Sequence, residues 1–258
     1  MQEKPLILIS NDDGVDAKGI NELIQALRSI GEIFVMAPDS PRSGASSAIT
    51  SQIAISFSIV HQEEGLHIYK CSGTPTDCIK LALETIVPRT PDLVIGGINH
   101  GDNSAVNVHY SGTMGVVLEG CMKGIPSIGY SLCDHNPNAD FSPTIPYVVH
   151  ITKQTLKHGL PNGTCLNVNF PELPPYKGIK VCRQTIGRWE REWCHCLHPR
   201  SGEKLYWITG EFTNHEPQSI DTDKWALDNG FVAITPTQID LTAYELMEQI
   251  NNNWDLSF

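Results

Sequence analysis

The chain has 258 residues, of which 40% are hydrophobic and 18% are charged. This length and composition are those of a globular protein with a substantial buried core, and they exclude an intrinsically disordered chain. The formal net charge of −11 disfavours sequence-independent binding to nucleic acid or to an anionic membrane surface. It does not exclude a small anionic substrate, because a bound cation would set the local field of such a site.

We expect a cytoplasmic protein that does not span a membrane. The first residues do not form a basic region followed by an apolar run and a cleavage site, and no stretch approaches about 18 uninterrupted apolar residues. The eight cysteines are scattered and are expected to be reduced and mostly buried. One group, formed by Cys194, His195, Cys196 and His198, could hold a metal, although no second ligand pair completes a structural zinc site nearby.

Short apolar runs alternate with helical patterns through the first two-thirds of the chain. Residues 6–9 predict a buried strand, apolar residues at 20–30 recur at helical spacing, and residues 33–36 predict a second strand. Strand, helix and strand joined by short connections form a βαβ unit with a right-handed crossover. The same pattern then predicts helices at 76–87, 111–123 and 147–157 and strands at 93–95, 125–130 and 165–170.

This alternation predicts an α/β fold with three layers, in which a doubly wound, mainly parallel, Rossmann-like sheet lies between helices. After Pro171 the pattern changes. Residues 179–185 and 204–212 are predicted to pair as two long strands, and such an arm is suited to holding another subunit. A helix at 223–228, a strand at 231–235 and a helix from about 242 to 250 follow.

We expect one domain over residues 1–258. Its core is predicted at about 1–171, and a β-hairpin arm and a C-terminal helix within about 178–258 are predicted to serve oligomerisation.

Two adjacent carboxylates follow the first predicted strand. Ligands of open α/β sheets bind outside the carboxyl ends of the strands, and Asp12 and Asp13 fall at this edge. Gly14 permits a bend that would let both side chains reach one ion, and carboxylate oxygens suit Mg²⁺ or Mn²⁺. The alternative is that one aspartate only caps the helix near Lys18, and the pair by itself does not decide between them.

Two further polar residues follow neighbouring predicted strands. Ser43 and Asn99 each have the residue type of an ordinary turn or cap when taken alone. Together with the two aspartates they would form a sparse oxygen shell that leaves positions open for water and for a substrate phosphate.

Small residues at predicted helix starts suggest a place for a phosphate. Ser111, Gly112 and Thr113 would present backbone N–H groups there, although a Ser or Thr N-cap explains the same pattern. Gly73 and Thr74 form a turn and a helix cap by default and could also line a substrate pocket. The sequence has no Walker A motif and no dinucleotide-binding glycine motif.

Five spaced motifs in this order resemble the SurE family, the survival-protein-E 5′-nucleotidases. The motifs are NDDG (11–14), APDSPRS (37–43), SGTPTDC (72–78), GINHGDN (97–103) and YSGT (110–113). The resemblance implies a Rossmann-like core, a homodimer or homotetramer with exchanged C-terminal elements, and hydrolysis of nucleoside 5′- and 3′-monophosphates.

The resemblance also implies roles for individual residues. The family's metal ligands fall on Asp12, Asp13, Ser43 and Asn99. Its phosphate-binding positions fall on Asn103, Ser111, Gly112 and Thr113.

The resulting hypothesis is a phosphatase that uses one divalent cation per subunit, Mg²⁺ or Mn²⁺, with Asp12 and Asp13 as the catalytic carboxylates. The sequence leaves open which aspartate accepts the proton of the attacking water. One rival is a phosphatase acting on sugar phosphates or short polyphosphate. Another is a non-catalytic nucleotide sensor, which the aspartates disfavour because carboxylates repel a phosphate unless a metal is present.

Overall fold

The structure is a computed structural model and describes residues 4–136 and 138–257. Its strands are β1 (Leu6–Ser10), β2 (Glu32–Pro38), β3 (Phe57–Glu63), β4 (Leu66–Cys71), β5 (Leu93–His100), β6 (Ser127–Leu132), β7 (Thr164–Phe170), β8 (Ile179–Val181), β9 (Gly187–Glu190), β10 (Trp193–Leu197), β11 (Lys204–Ile208), β12 (Glu211–Asn214) and β13 (Val232–Gln238). Its α-helices are α1 (Lys18–Leu27), α2 (Pro75–Thr85), α3 (Gly112–Met122), α4 (Ile145–His158), α5 (Asp223–Asp228) and α6 (Tyr244–Asn253). Two short 3₁₀ helices cover Ala105–His109 and Ser142–Thr144.

The central sheet contains a parallel block of six strands in the order β4-β2-β1-β5-β6-β7. β3 pairs antiparallel with β4 at one edge, and β13 pairs antiparallel with β7 at the other, where β8 completes the sheet. The chain adds β2 and β4 on one side of β1, and β5, β6 and β7 on the other. The winding therefore reverses between β1 and β5, and the carboxyl ends of these strands flank the crevice where doubly wound sheets bind ligands. The predicted α/β fold is confirmed.

The side chains of β1 show why this sheet is covered on both faces. Ile7 and Ile9 pack in the cluster that contains the inner faces of α1 and α4, whereas Leu6 and Leu8 pack in the cluster that contains α2. All four side chains are completely buried. Burial of an aliphatic side chain of this size contributes about 1.5–3 kcal/mol. A shift of one residue would exchange the two faces, so packing fixes the position at which the chain leaves the sheet.

The predicted arm exists, but its strand pairing was wrong. Residues 179–185 do not pair with 204–212, because β8 lies beside β13 in the central sheet. The arm is built instead from β9 paired with β12, at its base, and β10 paired with β11, at its tip. Arg191 and Gly210, both with positive φ, interrupt the two arm strands between base and tip. β8 pairs with the free edge of β13, which is distant in sequence. A local sequence pattern could therefore not predict this pairing.

Two other parts of the sheet differ from the prediction. β3 and β4 were not predicted. Ile53, Ile55, Phe57 and Ile59 alternate with small residues, a strand signal that the prediction missed, although all seven residues of β3 are exposed at the edge of the sheet. β5 was predicted to end at 95 but continues to His100, through an irregularity in its pairing with β6 between Gly96 and Asn99. Gly97 has a φ of +120° there, which favours glycine. Asn99 is therefore on a strand and not in the loop that the sequence predicted.

None of the helices in the described residues is long and apolar enough to cross a membrane. All eight cysteines are free, and five of them are buried, as expected of mostly buried thiols. Cys194, His195 and Cys196 lie on β10, where successive side chains point to opposite faces. The Nδ1 atom of His198 accepts backbone N–H groups of its own turn. The cytoplasmic location and the absence of nucleic-acid partners stay predictions.

Candidate metal and phosphate site

A cavity of about 440 Å³ opens at the carboxyl edge of the sheet. This volume lies in the range of sites for small organic ligands. The predicted site residues among its lining are Asp12, Ser43, Asn99, Asn103 and Ser111. The cavity therefore brings together residues from four separate segments of the chain.

The two aspartates are held by donors on other segments. Asp12 is 4% exposed, and its carboxylate accepts the Thr113 hydroxyl at 2.6 Å and the Gly112 N–H at 3.2 Å. The carboxylate of Asp13 accepts the backbone N–H of His100 at 3.1 Å. Helix α1 begins at Lys18 without a side-chain N-cap, so the alternative that an aspartate caps this helix was wrong.

A tight turn after β1 directs the acidic pair. The side chain of Asn11 closes it, because its Nδ2 donates to the Gly14 carbonyl at 2.9 Å and its Oδ1 accepts the Gly14 N–H at 3.2 Å. Gly14 has a φ of +98°, and the Val15 N–H then donates to the Pro38 carbonyl at 2.9 Å. The turn therefore needs glycine at this position and is anchored on the end of β2.

Burial makes this pair of carboxylates costly to ionise. It raises the pKa of Asp12 to about 6, against the opposing hydrogen bond from Thr113, and the neighbouring charge of Asp13 adds to the rise. Burial also raises the pKa of Asp13, although the backbone N–H and the imidazole of His100 and the imidazole of His135 oppose it. The hydrogen bonds that both carboxylates accept come from neutral donors. A desolvated acidic pair of this kind would be stabilised by a bound cation.

The donor set fits a hard divalent cation. Among the described residues, no group of three or more His, Cys, Asp or Glu is arranged to hold a metal, so neutral oxygens must complete the site. Asn99 is 8% exposed, and its Nδ2 donates to the Gly101 carbonyl at 3.0 Å, which leaves its Oδ1 as an acceptor. Oxygen ligands from carboxylates, amides and hydroxyls suit Mg²⁺ and Mn²⁺.

Ser43 lies on an exposed loop that is fastened beside the acidic pair. The N–H of Arg42 donates to the Asp12 carbonyl at 2.6 Å, and the N–H of Ser46 donates to the Tyr110 carbonyl at 3.0 Å. These bonds place the loop across the cavity, where Ser43 contributes to the lining.

The turn before α3 both caps the helix and holds Asp12. The hydroxyl of Ser111 accepts the Met114 N–H at 3.0 Å, as the N-cap alternative predicted, and Ser111 also lines the cavity. The Gly112 N–H and the Thr113 hydroxyl are directed to Asp12. A phosphate-binding role for these three residues stays a prediction.

Gly73 and Thr74 are not among the described residues that line this cavity, and of the two it is Thr74 that contacts the Ser43 loop. Thr74 and Asp77 form a capping box at the start of α2. The Thr74 hydroxyl also donates to the Ala48 carbonyl at 2.7 Å, and Asp77 accepts the Thr50 N–H at 3.1 Å. The structure therefore favours the default interpretation of this turn as a helix cap.

Asn103 is buried in the cavity wall by a network of polar side chains. Its Nδ2 donates to the Ser131 hydroxyl at 2.8 Å, and its backbone N–H donates to Asn169 Oδ1 at 2.9 Å. Its carbonyl accepts Asn167 Nδ2 at 2.8 Å. The ends of β6 and β7 therefore fix the loop that follows β5.

Several lining residues were not predicted from the sequence, among them Asn107, His135, Trp189, Phe212 and Lys224. Lys224 comes from α5, and its Nζ lies 3.2 Å from Asp102 Oδ2. Burial lowers the pKa of Lys224, but the carboxylates of Asp102 and Asp228 outweigh it and the pKa is raised. Lys224 therefore brings a cation to an otherwise acidic wall, and its separation of 122 residues from Asp102 left no local signal.

The fold and this site define a doubly wound α/β protein with an acidic, oxygen-rich cavity at the switch point of its sheet.

Residues 7–191 match the family described as Survival protein SurE. The chain is 65% identical over 255 residues to the 5′-nucleotidase SurE of Phocaeicola vulgatus, covering 99% of this chain and 98% of the relative. It is 60% identical over 250 residues to the 5′-nucleotidase SurE of Bacteroides thetaiotaomicron, covering 96% of each. The crystal structure of the SurE protein of Aquifex aeolicus matches with a TM-score of 0.83 and 37% identity, covering 97% of this chain and all of that one. The chain belongs to the SurE family.

The bond from Thr113 to Asp12 gives a pH-dependent prediction. In EDTA at pH 8, Thr113→Val should lower the free energy of unfolding by about 1–3 kcal/mol, since a buried carboxylate loses its hydroxyl donor. The folded-state pKa of Asp12, about 6, lies above the ordinary 3.8, so near pH 5 the folded protein holds a proton that the unfolded chain has released. The cost of Thr113→Val should therefore shrink at pH 5, as measured by urea unfolding.

The control is Thr113→Ser, which keeps the hydroxyl. Its cost should be the same at both pH values, because only the methyl group is lost. A Thr113→Val cost that is equally independent of pH would contradict the role of the hydroxyl in holding the ionised Asp12.

Proposed function

We propose that this protein is a divalent-metal-dependent phosphomonoesterase that hydrolyses nucleoside 5′-monophosphates, and also 3′-monophosphates, to nucleoside and phosphate. The observation that carries the proposal is the buried carboxylate of Asp12 in a cavity of about 440 Å³ that Ser43 and Asn99 also line, with the half-buried Asp13 next to it in the chain. The name 5′-nucleotidase, which the relatives carry, supports the substrate class.

Asp12, Asp13, Ser43 and Asn99 would hold one Mg²⁺ or Mn²⁺ per subunit. Such an ion would polarise a phosphoryl oxygen and lower the pKa of a bound water. One of the two aspartates accepts the proton of the attacking water. The hydrogen bonds from Thr113 and His100 hold the two carboxylates in fixed orientations for this task.

The wall beside the acidic pair would bind the phosphate. Asn103 and Ser111 line it, and Gly112 and Thr113 follow at the start of α3, where the helix dipole favours an anion. Lys224 adds a positive charge that offsets the charge of the phosphoryl oxygens. Thr74 acts indirectly, through the loop that carries Ser43, and Gly73 lies in the same turn before α2.

A panel of phosphate esters tests the substrate class. We expect release of phosphate from the 5′- and 3′-monophosphates of the four common nucleosides with Mg²⁺ or Mn²⁺, and none with EDTA. The ratio kcat/KM for these nucleotides should exceed that for ribose 5-phosphate and tripolyphosphate by about tenfold. Equal rates on all substrates would favour the broader phosphatase, and binding of nucleotide without release of phosphate would favour the sensor.

Asp13→Asn tests the metal ligands. Turnover with added metal should fall by at least about a hundredfold while the circular dichroism spectrum is unchanged. The rise in melting temperature that Mn²⁺ produces in the wild type should also be lost, because a cation stabilises only the state that binds it.

The matched control is Asp16→Asn, which removes an exposed carboxylate from the short segment between this turn and α1. This variant should keep both the activity and the thermal shift. Near-native activity of Asp13→Asn would overturn the assignment of this residue.

We also propose that the protein is a homodimer or homotetramer whose subunits are joined by the arm and the C-terminal helix. Trp193, Tyr206 and Trp207 at the arm tip are each more than 60% exposed, and α6 has no buried residue within the chain. Exposed aromatic surface of this extent is typical of contact with another protein chain.

Removal of the arm tip tests the oligomer. Residues 193–208 can be replaced by Asn-Gly, because the N–H of Thr209 already donates to the Glu192 carbonyl at 2.7 Å. We expect a smaller particle by size-exclusion chromatography with light scattering. Activity on p-nitrophenyl phosphate serves as the control for folding. An unchanged mass with retained activity would exclude the tip from the interface.

A further inference from the structure

Two aromatic side chains from the base of the arm form part of the cavity wall. Trp189 lies on β9 and Phe212 on β12, and both line the cavity that Asp12 and Ser111 line. Their ring centroids are 6.0 Å apart at an interplanar angle of 69°, an edge-to-face arrangement. Both are only partly buried, so they present apolar surface to the cavity.

The position of this aromatic pair is fixed by polar contacts. The indole N–H of Trp189 donates to Asn107 Oδ1 at 2.8 Å, and Asn107 Nδ2 donates to the Asp102 carbonyl at 3.1 Å. The Asn107 carbonyl accepts the N–H of Ser111 at 3.0 Å. Asn107 therefore joins the aromatic pair to the turn that precedes α3, and the polar edge of the indole is satisfied within the protein.

Packing at the arm base leaves little freedom for Phe212. A Cβ atom at Gly187 would lie 2.4 Å from Phe212 Cζ and 2.5 Å from the Thr213 carbonyl oxygen, so the ring packs directly against the backbone of a position that needs glycine. A wall ordered in this way before any ligand binds loses little entropy when a ligand stacks on it.

We propose that Trp189 and Phe212 form the nucleobase subsite and set the preference for nucleotides over other phosphate monoesters. This inference rests on the proposed function. The polar wall, with a cation held by its carboxylates, suits a phosphate. The aromatic wall has no donor or positive charge with which to bind a phosphate. A planar aromatic group joined to the phosphate through a sugar matches both walls. Stacking also tolerates every base, since each base has a π-face.

The test compares AMP with ribose 5-phosphate, which lacks only the base. Trp189→Leu and Phe212→Leu should each raise the KM for AMP by about tenfold, because stacking on the base is lost. Values of kcat for AMP and kcat/KM for ribose 5-phosphate should stay within about twofold of the wild type. Trp189→Phe, which keeps a ring at this position, should recover much of the affinity for AMP.

The matched control is Trp193→Leu, a tryptophan of the same arm that is 65% exposed and absent from the described cavity lining. This variant should leave both substrates unaffected. An equal loss on AMP and ribose 5-phosphate in the Trp189 and Phe212 variants would show a structural role and overturn the proposal. An unchanged KM for AMP in both variants would overturn it as well.

Binding measurements separate this inference from the proposed function. If the wild type hydrolyses neither ester, calorimetric titration with AMP and with ribose 5-phosphate, each in the presence of Mn²⁺, still tests the subsite. Tighter binding of AMP that is lost in Trp189→Leu would support the subsite while the phosphatase proposal fails. Equal affinities of wild type and variant for AMP would overturn the subsite.

Discussion

The arrangement of the cavity depends on the hydrogen bonds that the buried Asp12 accepts. Its side chain accepts donors from Gly112 and Thr113, and its backbone carbonyl accepts the N–H of Arg42. One residue therefore joins the end of β1, the loop that carries Ser43 and the start of α3. An ionised carboxylate in a buried position is stable only when such donors surround it, and each donor in turn fixes the segment that supplies it.

The topology explains why these segments meet. Because the winding of the sheet reverses between β1 and β5, the segments after these strands diverge to opposite sides and leave a crevice between them. Asp12 stands on one side of the crevice and Asn99 on the other. The irregularity in β5 between Gly96 and Asn99 extends that strand to His100, whose N–H reaches Asp13. The same feature of the fold thus provides the space and the residues that line it.

Local patterns predicted the parts of the molecule that depend on local physics. The apolar run of β1 and the helical spacing of α1 indicated the βαβ unit, and the edge rule for parallel sheets brought Asp12, Ser43 and Asn99 together. The pattern failed where pairing is long-range, as in the partner of β8. The edge strand β3 was missed although apolar residues alternate up to Ile59, because all of its side chains are exposed and it has no buried face to mark it as part of the core. The pattern also failed for Lys224 and Trp189, since the partner of each lies 82 or more residues away in sequence.

The charge of the protein explains why the polar wall and the aromatic wall of the cavity would contribute together to binding. A chain with a net charge of −11 repels a phosphate ester, and the ionised Asp12 and Asp13 would repel it further. Lys224 alone cannot offset this repulsion, because its ammonium group is already paired with the carboxylate of Asp102. Under the proposed function, a bound cation is therefore required for the site to hold a phosphate. An aromatic wall contributes affinity that does not depend on these charges, so a ligand with a base gains binding energy that a free phosphate lacks. Asn107 joins that wall to the turn holding Asp12, so the aromatic and polar walls keep a fixed position relative to each other.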